Sequence, residues 1–339
     1  MTELRIGING FGRIGRAVTR ILRARGRHRV VRINDLNPDP GNLAYLLKYD
    51  TTYGRLAAPV SSTEHSLHIG DDRIHITRHD DIANVDWSEV DVVIESTGVI
   101  INEKHAPQIG KPVLVTHACP SADFTLVFGA TDGQFDPSRH RVVSTSICDA
   151  AAAAPVLKSL HESFGVEYGF ITTLHPWLSY QNLMDGPARS QAYPGSTYSH
   201  YPLGRSSVGA LIPKPTTVVS ACERVVPALA GALKCMSYRV PTPCVSSADL
   251  SLHLERDATE TDVLDCFDRL RASQGSREVV RITDEPLVSV DYLGDPHSCI
   301  IDTRWLMLNR GRQLKVVLWY DNEWGYSSRV ADALDVIAS

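Results

Sequence analysis

Residues 7–16 read GINGFGRIGR, and this glycine-rich stretch lies between a short apolar segment and a longer periodic one. The segment before it, residues 4–8, is typical of a buried strand. The segment after it, residues 13–25, has apolar side chains at helical spacing, namely Ile14, Val18, Ile21 and Leu22. A second strand is predicted at residues 30–33, so the chain opens as strand, helix, strand.

The glycines of this stretch fit the pattern G-x-G-x-x-G, and here the pattern follows a strand and opens a helix. Gly10 permits a tight turn, Gly12 lets the backbone approach a pyrophosphate, and Gly15 allows close packing of helix on strand. Asp35 ends the next predicted strand, where an acidic residue accepts hydrogen bonds from ribose hydroxyls and repels a 2′-phosphate. The sequence therefore predicts an NAD site; the alternative is a structural turn without a ligand.

The remaining apolar segments predict a two-part α/β protein. Short strand-like runs recur at residues 92–94, 113–115, 126–128 and 142–143, a rhythm typical of a mostly parallel sheet. After Cys148 a helix-forming run gives way to longer alternating segments, typical of an antiparallel sheet with one packed face. We therefore predict a Rossmann-type NAD-binding domain, residues 1–148 completed by a C-terminal helix at 322–339, and an α+β catalytic domain with an antiparallel sheet, residues 149–321.

Composition and charge limit the possible partners. A net charge of −5 gives no electrostatic reason to expect nucleic acid as a partner, and no apolar run is long enough to span a bilayer. The strand pattern begins directly after the first residues, without room for a signal peptide, so we expect a cytoplasmic protein. The seven cysteines show neither paired spacing nor the spacing of metal ligands, and we predict no metal site.

Motifs along nearly the whole chain resemble glyceraldehyde-3-phosphate dehydrogenases. They are GINGFGRIGR at 7–16, IND at 33–35, LLKYD at 46–50, ESTG at 95–98, TTLH at 172–175, DGP at 185–187, RVPT at 239–242 and WYDNEWGY at 319–326. The resemblance implies that family's fold, NAD as cofactor, a small aldehyde as substrate and a homotetramer. It implies these NAD contacts: Asn9, Gly10, Phe11, Gly12, Arg13, Ile14, Gly15, Asp35, Thr97, Gly98, Thr116, Asn322 and Tyr326.

Two of these contacts concern the reactive ring of the cofactor. The resemblance implies that Asn322 holds the nicotinamide carboxamide and so fixes which face of the ring meets the substrate. It also implies that Tyr326 covers the ring. The alternative for Asn322 is a polar turn residue between a strand and the last helix.

The resemblance also implies that Cys148 is the catalytic nucleophile and His175 its general base. Aldehyde oxidation by hydride transfer is easiest from a hemithioacetal, which becomes a thioester as the hydride leaves. Because the thiolate is the attacking form, we expect a cationic neighbour or a helix N-terminus beside Cys148. Histidine can take the hydroxyl proton near neutral pH. Without the resemblance, the structural interpretation of each residue would be favoured, because cysteine is often simply buried.

The chain departs from the family pattern around its nucleophile. The family usually reads Ser-Cys-Thr-Thr-Asn, whereas this chain reads ICDAA at 147–151. Ile147 removes a hydroxyl, and Asp149 adds a negative charge, where the family binds the inorganic phosphate that attacks the thioester. Two like charges about 4 Å apart cost on the order of 4 kcal/mol at an effective dielectric constant near 20. The alternative for Asp149 is ordinary stabilisation of a helix N-terminus.

The second phosphate site of the family, which holds the substrate's own phosphate, is also altered. Leu178 and Tyr180 stand where the family has threonines, whereas Arg239 and Thr216 are retained and Thr217 replaces a glycine. A tyrosine- and serine-rich loop at 188–205 is longer than the family pattern, and we expect it to reshape the substrate pocket or a subunit interface.

Three functions remain open from the sequence. The main interpretation is NAD-dependent oxidation of a small, phosphorylated aldehyde through a Cys148 thioester, with an altered acyl acceptor or an altered substrate-phosphate site. The first alternative is an ordinary phosphorylating glyceraldehyde-3-phosphate dehydrogenase. The second, of another class, is a non-catalytic NAD-binding scaffold or redox sensor.

Overall fold

The computed structural model describes residues 2–275 and 277–339. The chain forms two compact units. The first contains the described residues up to Thr125 together with Phe135–Thr145 and Val330–Ser339, and the second contains Leu126–Gln134 and the described part of Ser146–Arg329. Residues 322–329 thus belong to the second unit, and the domain bounds given above stay a prediction. None of the described helices is long and apolar enough to cross a membrane.

The first unit is built from short strands and three helices. Its strands are β1 Arg5–Asn9, β2 Arg29–Asn34, β3 Tyr49–Asp50, β4 Gly54–Arg55, β5 Val60–Thr63, β6 Ser66–Ile69, β7 Asp72–Thr77, β8 Val92–Glu95, β9 Val113–Val115, β10 Phe124–Thr125 and β11 Val142–Ser144. Its helices are α1 Arg13–Arg25, α2 Pro40–Lys48 and α3 Ile100–His105.

Nine of these strands form one sheet in the order β10-β11-β9-β8-β1-β2-β7-β6-β5. The pairings from β10 to β7 are parallel, and only β6 and β5 add antiparallel edges. The parallel strands are short and almost wholly buried, because helices cover such sheets on both faces. The predicted Rossmann-type architecture is therefore confirmed.

The strand predicted at residues 126–128 is wrong. Its apolar side chains are buried as expected, but the backbone forms a turn: Val127 accepts a hydrogen bond from the amide of Ala130, and its own amide donates to the Thr131 hydroxyl. Burial alone does not distinguish a strand from an apolar turn, because both remove the same side chains from water.

The second unit contains a seven-stranded sheet and the long helix that begins at Cys148. Its elements are α4 Cys148–Phe164, β12 Val166–Pro176, β13 Ile212–Lys214, α5 Val218–Val225, β14 Leu233–Val240, β15 Ser246–Leu254, α6 Glu260–Ser273, β16 Val280–Thr283, β17 Cys299–Asn309, β18 Gln313–Tyr320 and α7 Trp324–Ile337, which continues into the first unit. Helix α4 contains the helix-forming run predicted after Cys148 and continues through Pro155.

The seven strands are ordered β13-β14-β12-β15-β18-β17-β16. The pairings β12–β15, β15–β18, β17–β18 and β13–β14 are antiparallel, which confirms the predicted sheet, while β12–β14 and β16–β17 are parallel. Helix α4 packs against β12, β15, β17 and β18. As a result, the first residue of α4 and the last residues of β12 meet at one end of this sheet.

Candidate functional site

The glycine-rich loop of the first unit has the geometry that its motif requires. Gly10 has φ of +90°, and a Cβ there would lie 2.8 Å from Thr97. A Cβ on Gly15 would lie 2.4 Å from the Gly10 carbonyl oxygen, so both positions exclude any larger residue. By contrast, a Cβ on Gly12 would meet nothing within 4 Å. Gly12 therefore leaves open space directly before the N-terminus of α1, where a phosphate binds in such folds.

Asp35 and Asn9 hold this loop in place through hydrogen bonds. One Asp35 carboxylate oxygen accepts from the Phe11 amide at 2.7 Å, while the other accepts from the Asn37 amide at 2.8 Å. The Asn9 amide donates to Glu95, and its oxygen accepts from Asn34 at 2.7 Å. The carboxyl ends of neighbouring parallel strands are thereby tied together, at the edge where open α/β sheets bind ligands.

Glu95 is a buried carboxylate for which no role was predicted from the sequence. Burial raises the pKa of its carboxyl to about 7, although hydrogen bonds from Thr97 and Asn9 oppose that rise. The Thr97 amide donates to Glu95 at 2.8 Å, and the Thr116 hydroxyl donates to the Glu95 carbonyl at 3.1 Å. The structure therefore brings Asn9, Thr97 and Thr116 around Glu95, in a hydrogen-bonded group that β1, β8 and β9 share.

The other predicted NAD contacts lie in different settings. Phe11 is buried, Ile14 is half-buried, and Gly98 follows Thr97 with φ of +69°. Arg13 forms an ion pair with Asp50 and lies over the Tyr53 ring. In the second unit, Asn322 is buried with its side-chain oxygen 3.6 Å from Cys244 Sγ, and the Tyr326 hydroxyl donates to the Ser146 carbonyl at 3.1 Å.

Cys148 and His175 form a contacting pair in the second unit. Cys148 is the first residue of α4, and His175 is the last residue but one of β12. The distance from Cys148 Sγ to His175 Nε2 is 3.7 Å. His175 Nδ1 lies 2.8 Å from the Pro176 carbonyl oxygen, which can only accept a hydrogen bond, so Nδ1 carries the proton. The lone pair of Nε2 is therefore directed at the thiol, as a general base requires.

Burial favours the neutral forms of both groups, whereas the residue types favour a thiolate beside a cation. Burial raises the pKa of the Cys148 thiol well above its usual range, and the Asp149 carboxylate raises it further, despite the helix N-terminus. Burial also lowers the pKa of His175 to about 4, and the Arg239 charge contributes to this shift. Attack by the thiol consequently requires that its proton pass to a base during the reaction, and His175 Nε2 is a neighbour able to take it.

Asp149 is held in an ordered position beside the thiol. Its side chain is 5% exposed, and its Oδ1 lies 3.5 Å from Cys148 Sγ. The Tyr320 hydroxyl donates to the same oxygen at 2.8 Å. Because this carboxylate accepts a hydrogen bond from the Tyr320 hydroxyl and lies beside the Cys148 thiol, it belongs to the site as well as to the first turn of α4. Tyr320 was not predicted, since its partner comes from a helix 171 positions away in sequence.

A cleft of about 310 Å³ opens onto this pair. Its walls include seven of the predicted site residues, namely Ile147, Cys148, Asp149, His175, Thr216, Thr217 and Arg239. They also include Lys214 and Ser237, which the sequence analysis did not select. Burial, followed by the Arg239 charge, lowers the pKa of Lys214 to about 8. The position of Lys214 at the end of β13, paired in register with Ser237 of β14, was not predictable without that pairing.

Arg239 is a buried cation with spare hydrogen-bonding capacity. It is 6% exposed, its Nη2 donates to the Tyr180 hydroxyl at 3.0 Å, and its Nη1 lies 3.5 Å from the Pro176 carbonyl oxygen. Its Nε is buried and has no hydrogen-bond partner within the described ranges. A buried donor without a partner is costly, and an anionic ligand in the cleft is able to satisfy it.

Leu178 and Tyr180 are not among the residues that line the cleft. The Leu178 amide donates to the Gln181 side chain, and Tyr180 reaches the site only by accepting from Arg239. The Tyr180 ring also packs on Tyr198 of the long loop, with ring centroids 5.1 Å apart. The loop at 188–205 has a small apolar cluster of its own, formed by Ala188 and Leu203 with Ile212. Through Tyr180, this loop supports the guanidinium of Arg239.

Comparison with known proteins agrees with these two units. Residues 4–103 match the family model for the glyceraldehyde 3-phosphate dehydrogenase NAD-binding domain, and residues 147–322 match that for the C-terminal domain. A glyceraldehyde-3-phosphate dehydrogenase of Kitasatospora aureofaciens is 40% identical, with 99% of each chain covered. That of Geobacillus stearothermophilus is 38% identical, covering 99% of this chain and 98% of the relative. The cytosolic enzyme of Chondrus crispus is 35% identical, covering 98% of each.

The comparisons also bear on the three functions left open by the sequence. Relatives that match over their whole length carry the name of one dehydrogenase, which favours the ordinary alternative over the divergent main interpretation. They likewise favour an enzyme over a non-catalytic scaffold, and the family model for the NAD-binding domain confirms NAD as the cofactor. The chain belongs to the glyceraldehyde-3-phosphate dehydrogenase family and is an NAD-dependent oxidoreductase of that type.

Proposed function

We propose that the protein oxidises glyceraldehyde 3-phosphate, or a closely similar phosphorylated aldehyde, through a thioester on Cys148. The observation that carries the proposal is the cleft itself, where the Cys148–His175 pair lies together with two cationic side chains, Arg239 and Lys214. The pair provides a nucleophile and its base, and the cations provide binding for a phosphorylated substrate. The names of the full-length relatives support the same substrate.

The chain's own residues carry the protons in this reaction. As Cys148 Sγ bonds to the aldehyde carbon, its proton passes by way of His175 Nε2 to the carbonyl oxygen, giving a neutral hemithioacetal. His175 then takes the hydroxyl proton back while the carbon–hydrogen bond breaks. The C–O bond becomes a carbonyl, and a thioester remains on Cys148. NAD, when bound, would be the oxidant that accepts the hydride. The low pKa of His175 keeps its imidazole free to accept a proton at neutral pH.

We propose inorganic phosphate as the acyl acceptor. The cost of bringing an anion near Asp149 is opposed by Lys214 and Arg239, whose charges both act on this cleft. At an effective dielectric constant near 20, each cation within about 4 Å of an anion stabilises it by roughly as much as one carboxylate destabilises it. Two cations and one carboxylate thus leave the cleft favourable to anions, and the Thr216 hydroxyl adds a donor.

A second candidate is transfer of the acyl group to another nucleophile, such as water. The observation that favours it is Asp149, a carboxylate 5% exposed and 3.5 Å from the sulfur that carries the acyl group. Ile147, which has no hydroxyl, lies on the same cleft. In this candidate the thioester is hydrolysed to a carboxylic acid and free Cys148.

Steady-state NADH formation from glyceraldehyde 3-phosphate, with and without inorganic phosphate, separates the two candidates. We expect a strict phosphate requirement with an elevated KM for phosphate. We expect Asp149→Thr to lower that KM by about tenfold or more, because it removes one like charge near the incoming anion. The exposed carboxylate Asp185 provides the matched control, Asp185→Asn, which should leave the KM unchanged.

The remaining outcomes identify the other functions. Phosphate-independent turnover with release of the free acid supports the second candidate and contradicts phosphate as the acceptor. Absence of turnover with any aldehyde, phosphorylated or not, despite tight NAD binding, contradicts the enzyme proposal itself and favours a scaffold.

We also propose that the protein is a homo-oligomer, as the family's usual tetramer suggests. The support is a group of exposed apolar side chains on one face of the second sheet, where Ser251 and Lys315 lie between them. Phe170 of β12 is 61% exposed, and the register runs from it through Ser251 and Lys315 to the exposed Met307 of β17. Met236 of β14 lies on the same face. Monomers rarely leave such a face in water.

Light scattering of the protein as it elutes from a size-exclusion column tests whether it is a homo-oligomer. We expect a molar mass several times that of one subunit, and we expect Phe170→Glu to lower it, because a charge in an apolar contact is costly to desolvate. Leu36→Glu serves as the control, because Leu36 is exposed and belongs to the first unit, not to this sheet. A monomeric wild-type protein contradicts the proposal.

We further propose a cytoplasmic location. Support comes from the relative of Chondrus crispus, whose name includes the word cytosolic, and from the seven cysteines, which are all free thiols. Cell fractionation with an antibody to the protein tests it.

A further inference from the structure

Three side chains of different chemistry converge at the start of α4 and the end of β12. Cys148 Sγ, a carboxylate oxygen of Asp149 and a ring nitrogen of His175 all lie within 4.8 Å of one another. The sulfur is 3.7 Å from His175 Nε2 and 3.5 Å from Asp149 Oδ1. Around a tetrahedral Zn²⁺ with ordinary bond lengths, sulfur, nitrogen and oxygen ligands lie roughly 3.4 to 3.6 Å apart. The two separations from the sulfur are therefore already near those that a zinc ion requires, and the third, between Asp149 and His175, is at most 4.8 Å.

The surroundings of these donors also match a metal site. The His175 Nδ1 proton is donated to the Pro176 carbonyl, which leaves Nε2 as the ligand atom. Most metal-binding histidines have this kind of partner on the other ring nitrogen. The Tyr320 hydroxyl donates to Asp149 and fixes the carboxylate in the same way. Both non-sulfur donors thus have their orientation set before any ion arrives.

We propose that Cys148, Asp149 and His175 form a three-ligand site for Zn²⁺, and that zinc binding there reversibly inhibits the enzyme. The thiol loses its proton to solvent as the Zn–S bond forms, so thiolate and carboxylate together balance the charge of the ion. Thiolate and imidazole favour zinc over magnesium or calcium. The fourth position is left for water, as in open zinc sites. Inhibition follows because the ion occupies both the nucleophile and its base.

Asp149 is what distinguishes this site from a simple Cys–His pair. Zinc sites in proteins have at least three protein ligands, and a cysteine with a histidine supplies only two. Lys214 and Arg239 line the same cleft, and their charges oppose a dication. We therefore expect a reversible site rather than a structural one, with the ion removed by a chelator.

The test measures metal binding in the absence of substrate, so that it does not depend on the proposed aldehyde. Purified full-length protein is titrated with Zn²⁺ while alkylation of Cys148 by iodoacetamide is followed by mass spectrometry. We expect zinc to protect Cys148 and EDTA to restore its alkylation. Co²⁺ in place of Zn²⁺ should give the visible absorption of a tetrahedral site together with a sulfur-to-cobalt charge-transfer band.

Two variants at position 149 decide whether the carboxylate is a ligand. Asp149→Asn and Asp149→Thr should each raise, at least tenfold, the zinc concentration that gives half-maximal protection of Cys148 from alkylation. Asp185→Asn should leave that concentration unchanged. Loss of the carboxylate makes the neighbouring thiolate easier to form, which by itself would strengthen metal binding. Weaker binding in these variants therefore reports the loss of a ligand. Tyr320→Phe, which keeps all three ligands, should weaken binding less.

An unchanged zinc midpoint in both position-149 variants would overturn the proposal, since zinc would then be held by Cys148 and His175 alone. Lack of protection by millimolar zinc in the wild-type protein would overturn it as well. Turnover of glyceraldehyde 3-phosphate is measured separately, so failure of the zinc site and failure of the proposed function give different results.

Discussion

Replacement of Cys148 by serine is expected to lower kcat by on the order of 10⁴-fold or more while NAD still binds. A serine hydroxyl at this position keeps the size of the side chain and its contact with His175, so the cleft is preserved. However, an alkoxide is far harder to form than a thiolate, and an ester intermediate gains nothing from the easy cleavage of a thioester. The loss should therefore appear in the chemical step.

The measurement combines NADH formation with mass spectrometry of the intact protein. Wild-type protein, mixed with NAD and glyceraldehyde 3-phosphate in the absence of phosphate, should carry an acyl adduct on Cys148, and the serine variant should carry none. Cys235→Ser is the matched control, because Cys235 is also a half-buried free thiol of the second unit but does not line the cleft. An acyl adduct on another residue, or normal turnover by the Cys148 variant, would contradict the assignment.

The glycine-rich loop was predictable in detail because its requirements are local. Gly10 is required by its positive φ and Gly15 by the Gly10 carbonyl next to it, whereas the contact of Gly10 with Thr97 joins distant parts of the chain. At Gly12 the structure leaves open space, and the motif assigns that space to a pyrophosphate. A pattern of small residues at fixed spacing records such constraints directly. The role of Asp35 in holding the Phe11 amide is an addition from the structure, since the motif indicates only its contact with ribose.

The pairing of Cys148 with His175 came from a resemblance, and its electrostatics did not follow from the sequence. Residue types suggested a thiolate beside a cation, whereas burial makes the neutral forms of both groups the favoured ones. Desolvation depends on how completely the sheet and α4 enclose the pair, which no motif records. For the same reason Asp149 looked equally like a helix-capping residue until Tyr320 and the thiol were found on either side of it.

Lys214, which lines the cleft, and Tyr320, which donates to Asp149, were missed because their positions depend on strand pairing. Lys214 belongs to a three-residue strand whose register with β14 brings it beside Ser237. Leu178 and Tyr180 illustrate the opposite case, since the family resemblance selected them, but they follow the end of β12 at Pro176 and do not line the cleft. Spacing along the chain predicts neighbours within an element, and it fails where the chain leaves one element for another.

Replacement of His175 by asparagine is expected to lower kcat by about 10² to 10⁴-fold at neutral pH, the usual contribution of a general base. An amide can still donate toward Pro176 and fill the space of the ring, but it cannot take the proton of the thiol or of the hemithioacetal. NAD binding should be unchanged. The exposed His65 provides the control variant, His65→Asn, which should retain full activity.

The pH profile distinguishes this role from a structural one. Because the pKa of His175 is lowered to about 4, the imidazole is neutral and able to act as a base throughout the range from pH 5 to 9. The wild-type enzyme should therefore lack an acidic limb near the ordinary histidine pKa of about 6.5, and its kcat/KM should rise with pH as the thiol, whose pKa is raised, loses its proton. In His175→Asn the loss should be greatest near neutrality and should shrink at high pH, where the thiolate forms without a base. If His175 were merely structural, the loss of activity in His175→Asn would be independent of pH. An acidic limb near pH 6.5 in the wild-type profile would contradict the neutral Cys148–His175 pair.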